Sequence, residues 1–300
     1  MGRTVGLDRP HPFTNRMKEP TSMKLALFVF LFVIGMTHVA RTQRGDGGIV
    51  ALNGIDMRYQ VHGDGEPLVL LHGFLGSGDT WATILGNLDG LGRDYRLIIP
   101  DMRGHGGSTN PADEFTMRQS AQEVFALRDH LGIERFKAIG MSGGGMTLLH
   151  MATQQPDRVE RLVLISATTH FPAQARAIMS GMTEETRPED EWAMMRRLHT
   201  RGDDQIRALW RRGRALADSY DDMRFNAPSL ARISTPTLIV HGDRDPLFPV
   251  QIAMEMYQAI PNAWLWVVPN GGHLSIVAEN LTDAFVETAS AFLRGDWEQR

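Results

Sequence analysis

Ile139-Gly140-Met141-Ser142-Gly143-Gly144-Gly145-Met146 sets one serine among four glycines, directly after an apolar run and directly before another. Glycine weakens helices and strands alike, so four of them together mark a local demand for small size. The run Lys137–Ile139 reads as a strand and Gly144–Gln154 as a helix. A serine between those elements has the G-x-S-x-G spacing of a sharp strand-to-helix turn, where side chains at Gly140 and Gly144 would collide. Such a turn strains the Ser142 backbone and stands its hydroxyl at the carboxyl edge of a sheet. The following helix points its positive end at the same spot. Alone the match is weak. With 30 glycines in 300 residues, chance produces it in roughly one such chain in eight.

Three other stretches supply context. Leu71-His72-Gly73-Phe74 ends a strand at the place where a loop donates a backbone N–H to an oxyanion, here from Phe74, with a second N–H from Gly143. Val240-His241-Gly242-Asp243-Arg244-Asp245-Pro246 follows a strand and offers an acid to orient a histidine. Asp243 and Asp245 both qualify; Asp245, just before Pro-Leu-Phe-Pro, is favoured. Pro269-Asn270-Gly271-Gly272-His273 follows the last strand and makes His273 the base. The order is Ser, Asp, His. Position alone nominates His72, Gly73, Met141 and Trp81 as substrate-pocket neighbours.

Outward from these points, apolar runs alternate with helical patterns. Strands are predicted at Met57–Val61, Leu68–Leu71, Leu97–Ile99, Lys137–Ile139, Leu162–Ile165, Thr237–Val240 and Leu265–Val268. Several are continuously apolar, as strands buried on both faces are. Helices are predicted at Trp81–Leu88, Met117–Leu131, Gly144–Gln154, Gln251–Ala259 and Thr282–Leu293. Alternation of this kind predicts an α/β, doubly wound, mostly parallel sheet. The first two of these strands, joined across His62-Gly63-Asp64-Gly65-Glu66-Pro67, read as a hairpin. Residues 170–233 break the rhythm with helical patterns only, an insertion of the kind that forms lids and specificity elements. It is rich in methionine (Met179, Met182, Met194, Met195, Met223) and arginine (Arg196, Arg197, Arg211, Arg212, Arg214). Packing of cap helices on each other explains the first set and a solvated face the second.

The chain resembles the α/β-hydrolase superfamily over about Ile49 to Leu293. Asp101-Met102-Arg103-Gly104-His105-Gly106-Gly107-Ser108 also matches that family's D-x-R-G-x-G loop. The resemblance implies eight strands with the second antiparallel, a helical cap after the sixth, and core segments at 45–169 and 234–300. Haloalkane dehalogenases and soluble epoxide hydrolases of the superfamily carry an aspartate where this chain has Ser142. Ser166-Ala167-Thr168-Thr169 offers no acid after the sixth strand, which supports Asp245.

The expected activity is that of a serine carboxylesterase acting on small or medium esters, with no metal or organic cofactor. Alternatives are an enol-lactonase, a carbon–carbon bond hydrolase, an aminopeptidase, a perhydrolase or a non-catalytic ligand-binding protein. A net charge of −4 gives no argument for nucleic acid. The absence of cysteine excludes disulfides, a thiol nucleophile and cysteine-ligated metals. Residues 1–44 differ from the rest. A basic stretch precedes the apolar run from Leu25 to Met36, the pattern of a signal peptide or a retained anchor. Export to the periplasm or medium is therefore expected, with membrane contact only through an uncleaved N-terminus. The molecule is expected to be a monomer or homodimer.

Overall fold

The computed structural model describes residues 47–277 and 281–297. The predicted signal or anchor lies outside them. Among the described residues, no helix is long and apolar enough to cross a membrane.

The sheet has eight strands: β1 Gly48–Leu52, β2 Ile55–His62, β3 Glu66–Leu71, β4 Tyr95–Pro100, β5 Phe136–Met141, β6 Val159–Ile165, β7 Thr237–Gly242 and β8 Ala263–Val268. Their order is β1-β2-β4-β3-β5-β6-β7-β8. Strands β3 to β8 run parallel, and β2 is antiparallel to both β1 and β4.

This corrects the predicted hairpin. β2 and β3 do not pair, because β4 lies between them; Leu97 of β4 faces His62 on one side and Leu68 on the other. The His62–Pro67 turn steps over one strand, and Gly63 and Gly65 let it press against the backbone of Gly92, Asp94 and Tyr95. The hairpin is instead β1–β2, where Leu52 faces Ile55 across Asn53 (φ 45°) and Gly54 (φ 77°). Two positive φ values at an Asn-Gly pair are those of a type I′ turn, whose twist matches the strands it joins.

Side chains alternate along the central strands. Val69, Leu71, Ala138, Leu162 and Leu164 enter one apolar cluster; Leu68, Leu70, Ile139, Val163 and Ile165 enter the other. Helices cover both faces as a result. On the first face lie α3 (Met117–His130), α4 (Gly143–Gln154) and α9 (Val250–Ala259); on the second lie α1 (Thr80–Ile84), α2 (Asp89–Gly92) and α10 (Leu281–Arg294). Trp81 is fully buried in the second cluster among Ile84, Leu85 and Leu88. It is therefore a core residue, and its nomination as a pocket neighbour is corrected.

Between β6 and β7 come α5 (Ala173–Ser180), α6 (Glu189–Leu198), α7 (Asp203–Ala215) and the short α8 (Ala227–Leu230). This segment is fastened to the core by specific polar contacts. The Asp222 carboxylate accepts the Met117 N–H at 2.7 Å and the Arg118 N–H at 3.1 Å. It thereby satisfies two of the orphan donors at the start of α3. Thr116 caps the next one by accepting from the Gln119 N–H. His150 on α4 donates Nε2–H to the Asp222 carbonyl at 2.8 Å.

Candidate active site

Ser142 sits between β5 and α4 at φ 50°, ψ −114°, a conformation a non-glycine residue adopts only when its surroundings impose it. The surroundings are the flanking glycines. A Cβ on Gly140 would lie 2.6 Å from the Gly144 carbonyl carbon, and one on Gly144 would strike the carbonyls of Leu71 and His72. A Cβ on Gly145 would meet that of Ala167 at 2.9 Å. Gly140 and Gly144 are thus fixed by backbone approaches that leave no room for a side chain, and Gly145 by the Ala167 methyl.

The three residues named from sequence converge. His273 Nε2 lies 2.9 Å from Ser142 Oγ, and His273 Nδ1 lies 2.7 Å from Asp245 Oδ2. The carboxylate accepts the proton on Nδ1, so Nε2 presents its lone pair to the serine hydroxyl. Asp245 Oδ1 is held by the N–H groups of Leu247 (2.8 Å) and Phe248 (3.1 Å). Burial pushes the Asp245 carboxyl up, but His273 and those two N–H donors outweigh it and hold it below the usual carboxylate range. The Phe248 ring meets His273 edge-on at 5.3 Å. Asp243 takes no part: its side chain is partly exposed beside Arg244. The acid loop and the base loop are laced together by Asp243 N–H to Val268 O and Arg244 N–H to Gly271 O.

Phe74 and Gly143 come together beside the serine. A Cβ on Gly143 would lie 2.9 Å from Phe74 N, and one on Gly73 would lie 3.5 Å from Ser142 Cβ. Neither the Phe74 nor the Gly143 N–H reaches an acceptor among the described residues. Two unspent donors beside a hydroxyl, at the N-terminus of α4, make a site for negative charge. His72, nominated as a pocket neighbour, is corrected like Trp81: it is a buried brace for this loop. It is fully buried, accepts the Met102 N–H at 3.0 Å and donates Nδ1–H to the Gly73 carbonyl at 2.8 Å. Met141 is buried, and its terminal methyl and its carbonyl oxygen each lie 3.5 Å from where a Cβ on Gly73 would stand.

Sequence reasoning passed over His199, Gly213 and the Leu247–Phe248 N–H pair. The last has a signal, since an aspartate two residues before a turn commonly accepts from the following N–H groups. The first two act across the fold and have none.

The arrangement can take a proton from Ser142, hold the resulting imidazolium and stabilise an oxyanion. The comparisons place the chain in a family. The family model described as alpha/beta hydrolase fold matches residues 66–198 and 194–279. The 2-hydroxymuconate semialdehyde hydrolase of Pseudomonas putida is 29% identical over 235 residues, covering 70% of this chain and 82% of its own. Serine hydrolase BPHL of Homo sapiens is 28% identical over 256 residues, covering 82% and 85%. The solved enol-lactonase from Burkholderia xenovorans LB400 superposes with a TM-score of 0.66 at 25% identity, covering 82% of this chain and 99% of that one. With the family model spanning well over half its length and the strand order and elbow in place, the chain belongs to the α/β-hydrolase superfamily.

Proposed function

We propose that the protein is a serine carboxylesterase that cleaves small or medium carboxylic esters through an acyl-enzyme on Ser142. The observation that carries this reading is the relay Ser142 Oγ–His273 Nε2 at 2.9 Å and His273 Nδ1–Asp245 Oδ2 at 2.7 Å. Ser142 attacks the ester carbonyl while His273 takes its proton. Asp245 fixes the tautomer and stabilises the imidazolium. The carbonyl oxygen becomes an oxyanion between the N–H groups of Phe74 and Gly143, where each donor is worth on the order of 100–1000-fold in rate. His273 returns the proton to the departing alcohol, then activates the water that releases the acid.

Two relatives favour a second reading. One is named for hydrolysis of 2-hydroxymuconate semialdehyde and the other as an enol-lactonase. The discriminating experiment is initial rates on p-nitrophenyl esters of rising acyl length beside a 2-hydroxy-6-oxo-dienoate and an enol-lactone. Ester turnover that dominates and vanishes in Ser142→Ala supports the carboxylesterase. Dominant turnover of the dienoate or lactone replaces it with the second reading.

A further inference from the structure

His199 is the residue immediately after α6, in the inserted segment, and it is 1% exposed. Its Nδ1 accepts the Gly106 N–H at 2.9 Å. A neutral ring that accepts at Nδ1 carries its proton on Nε2, and that atom lies 3.1 Å from the Leu75 carbonyl oxygen. The ring therefore bridges two core loops from the cap side, with its tautomer set by the backbone at both ends.

Leu75 is an unusual residue to hold. Gly73-Phe74-Leu75-Gly76 forms a turn closed by the Gly76 N–H on the Gly73 carbonyl at 3.0 Å. Leu75 occupies its third position at φ 67°, where such turns call for glycine or asparagine. A leucine there relaxes unless its neighbours oppose it. Phe74 is the second residue of the same turn, and its ring is gripped from the same side. It meets His105 and Phe115 edge-on at 5.2 Å each. It also lies on the bare face of Gly213 in α7, where a Cβ would come within 3.0 Å of Phe74 Cε1. His105 in turn meets the His199 ring edge-on at 6.0 Å.

We propose that His199 is a positioning residue for the oxyanion. Its bond to Leu75 holds the Gly73–Gly76 turn in the conformation that presents the Phe74 N–H beside Gly143. Seating of the cap and completion of the oxyanion site are then one event. The inference rests on the reading of Phe74 as an oxyanion donor. Burial lowers the His199 pKa to about 4, with His72 adding to the effect and the Leu75 bond and Asp101 opposing it. The ring is thus neutral near pH 7 and free to accept at Nδ1.

The test uses the full chain as wild type, His199→Ala and His199→Gln. Glutamine carries one acceptor and one donor and can restore both bonds. Three quantities are measured per titrated active site: kcat and KM on p-nitrophenyl acetate, Ki for butylboronic acid, whose tetrahedral adduct fills the oxyanion position, and the rate of labelling by a fluorophosphonate. The alanine variant is expected to lose about 10–100-fold in kcat, less than removal of a donor outright. Its KM stays within about threefold, boronate binding and labelling weaken in parallel with kcat/KM, and His199→Gln recovers most of each. Rates within twofold of wild type in His199→Ala, or equal losses in both variants, overturn the inference. A wild type that labels but hydrolyses no ester defeats the ester reading alone, and the labelling rates still decide the role of His199. A wild type that does not label defeats the oxyanion reading and this inference together.

Discussion

Acid should unfold this protein through its buried histidines, and His199 allows the size of one contribution to be worked out. Its pKa falls from an ordinary 6.5 to about 4 on folding, chiefly because burial disfavours the charged ring. Below 6.5 the unfolded chain takes up a proton that the folded chain refuses. Stability is therefore intact above pH 7 and declines as pH falls from 6.5 towards 4. At about 1.4 kcal/mol per unit, the full shift amounts to about 3 kcal/mol, and about 2 kcal/mol of it is lost by pH 5. That is a sizeable part of the 5–15 kcal/mol typical of a whole domain. His72, His105, His150 and His241 are lowered by burial as well and act in the same direction. Urea unfolding followed by tryptophan fluorescence at pH 7.5 and pH 5 gives the total loss. The same pair of curves for His199→Gln isolates one residue and should show a loss smaller by about 2 kcal/mol at unchanged m-value. An equal pH dependence in both proteins would refute the assignment of this contribution to His199.

Three further outcomes are expected. Asp245→Asn should lower kcat on the order of 10⁴-fold by favouring the wrong His273 tautomer, while Asp243→Asn stays within a few-fold; steady-state ester hydrolysis checks both. Asp222→Ala leaves the Met117 and Arg118 N–H groups without their acceptor and should cost about 1–3 kcal/mol in chemical denaturation, with Ser142 still reactive in the folded fraction. Gly144→Ala puts a methyl into the Leu71 and His72 carbonyls; expression should yield no folded protein by circular dichroism, whereas Ser142→Ala folds normally.

The elbow was legible in the sequence because its glycine spacing is a local pattern, even though Gly144 is also held by the distant carbonyls of Leu71 and His72. A Cβ on Gly140 would run into the backbone of Gly144 across Ser142, so that part of the pattern and the geometry are one constraint. The acid and base loops were legible for a related reason: each follows a strand, and strand ends aligned at one sheet edge must converge. Strand order was harder. The β2–β3 turn is short, and only the packing of Gly63 and Gly65 against the start of β4 shows that it crosses a strand rather than closing a hairpin. The true hairpin carried its own signal in Asn53-Gly54, which the pattern of apolar runs obscured because β1 is mostly exposed. Trp81 looked like a pocket residue by chain position, yet the face of α1 that carries it turns to the core. The contacts of His199, Gly213 and Asp222 with the core link residues about 100 apart or more. No local pattern records such pairings, so the docking of the inserted segment could be read only from the fold.

The central claim is that Ser142, activated by His273, forms the covalent intermediate. Intact-mass spectrometry after exposure to a fluorophosphonate, followed by peptide mapping, tests it most directly. A single adduct on Ser142, absent from Ser142→Ala and strongly slowed in His273→Ala, is the predicted result. An unmodified protein, or an adduct on another residue, would contradict it.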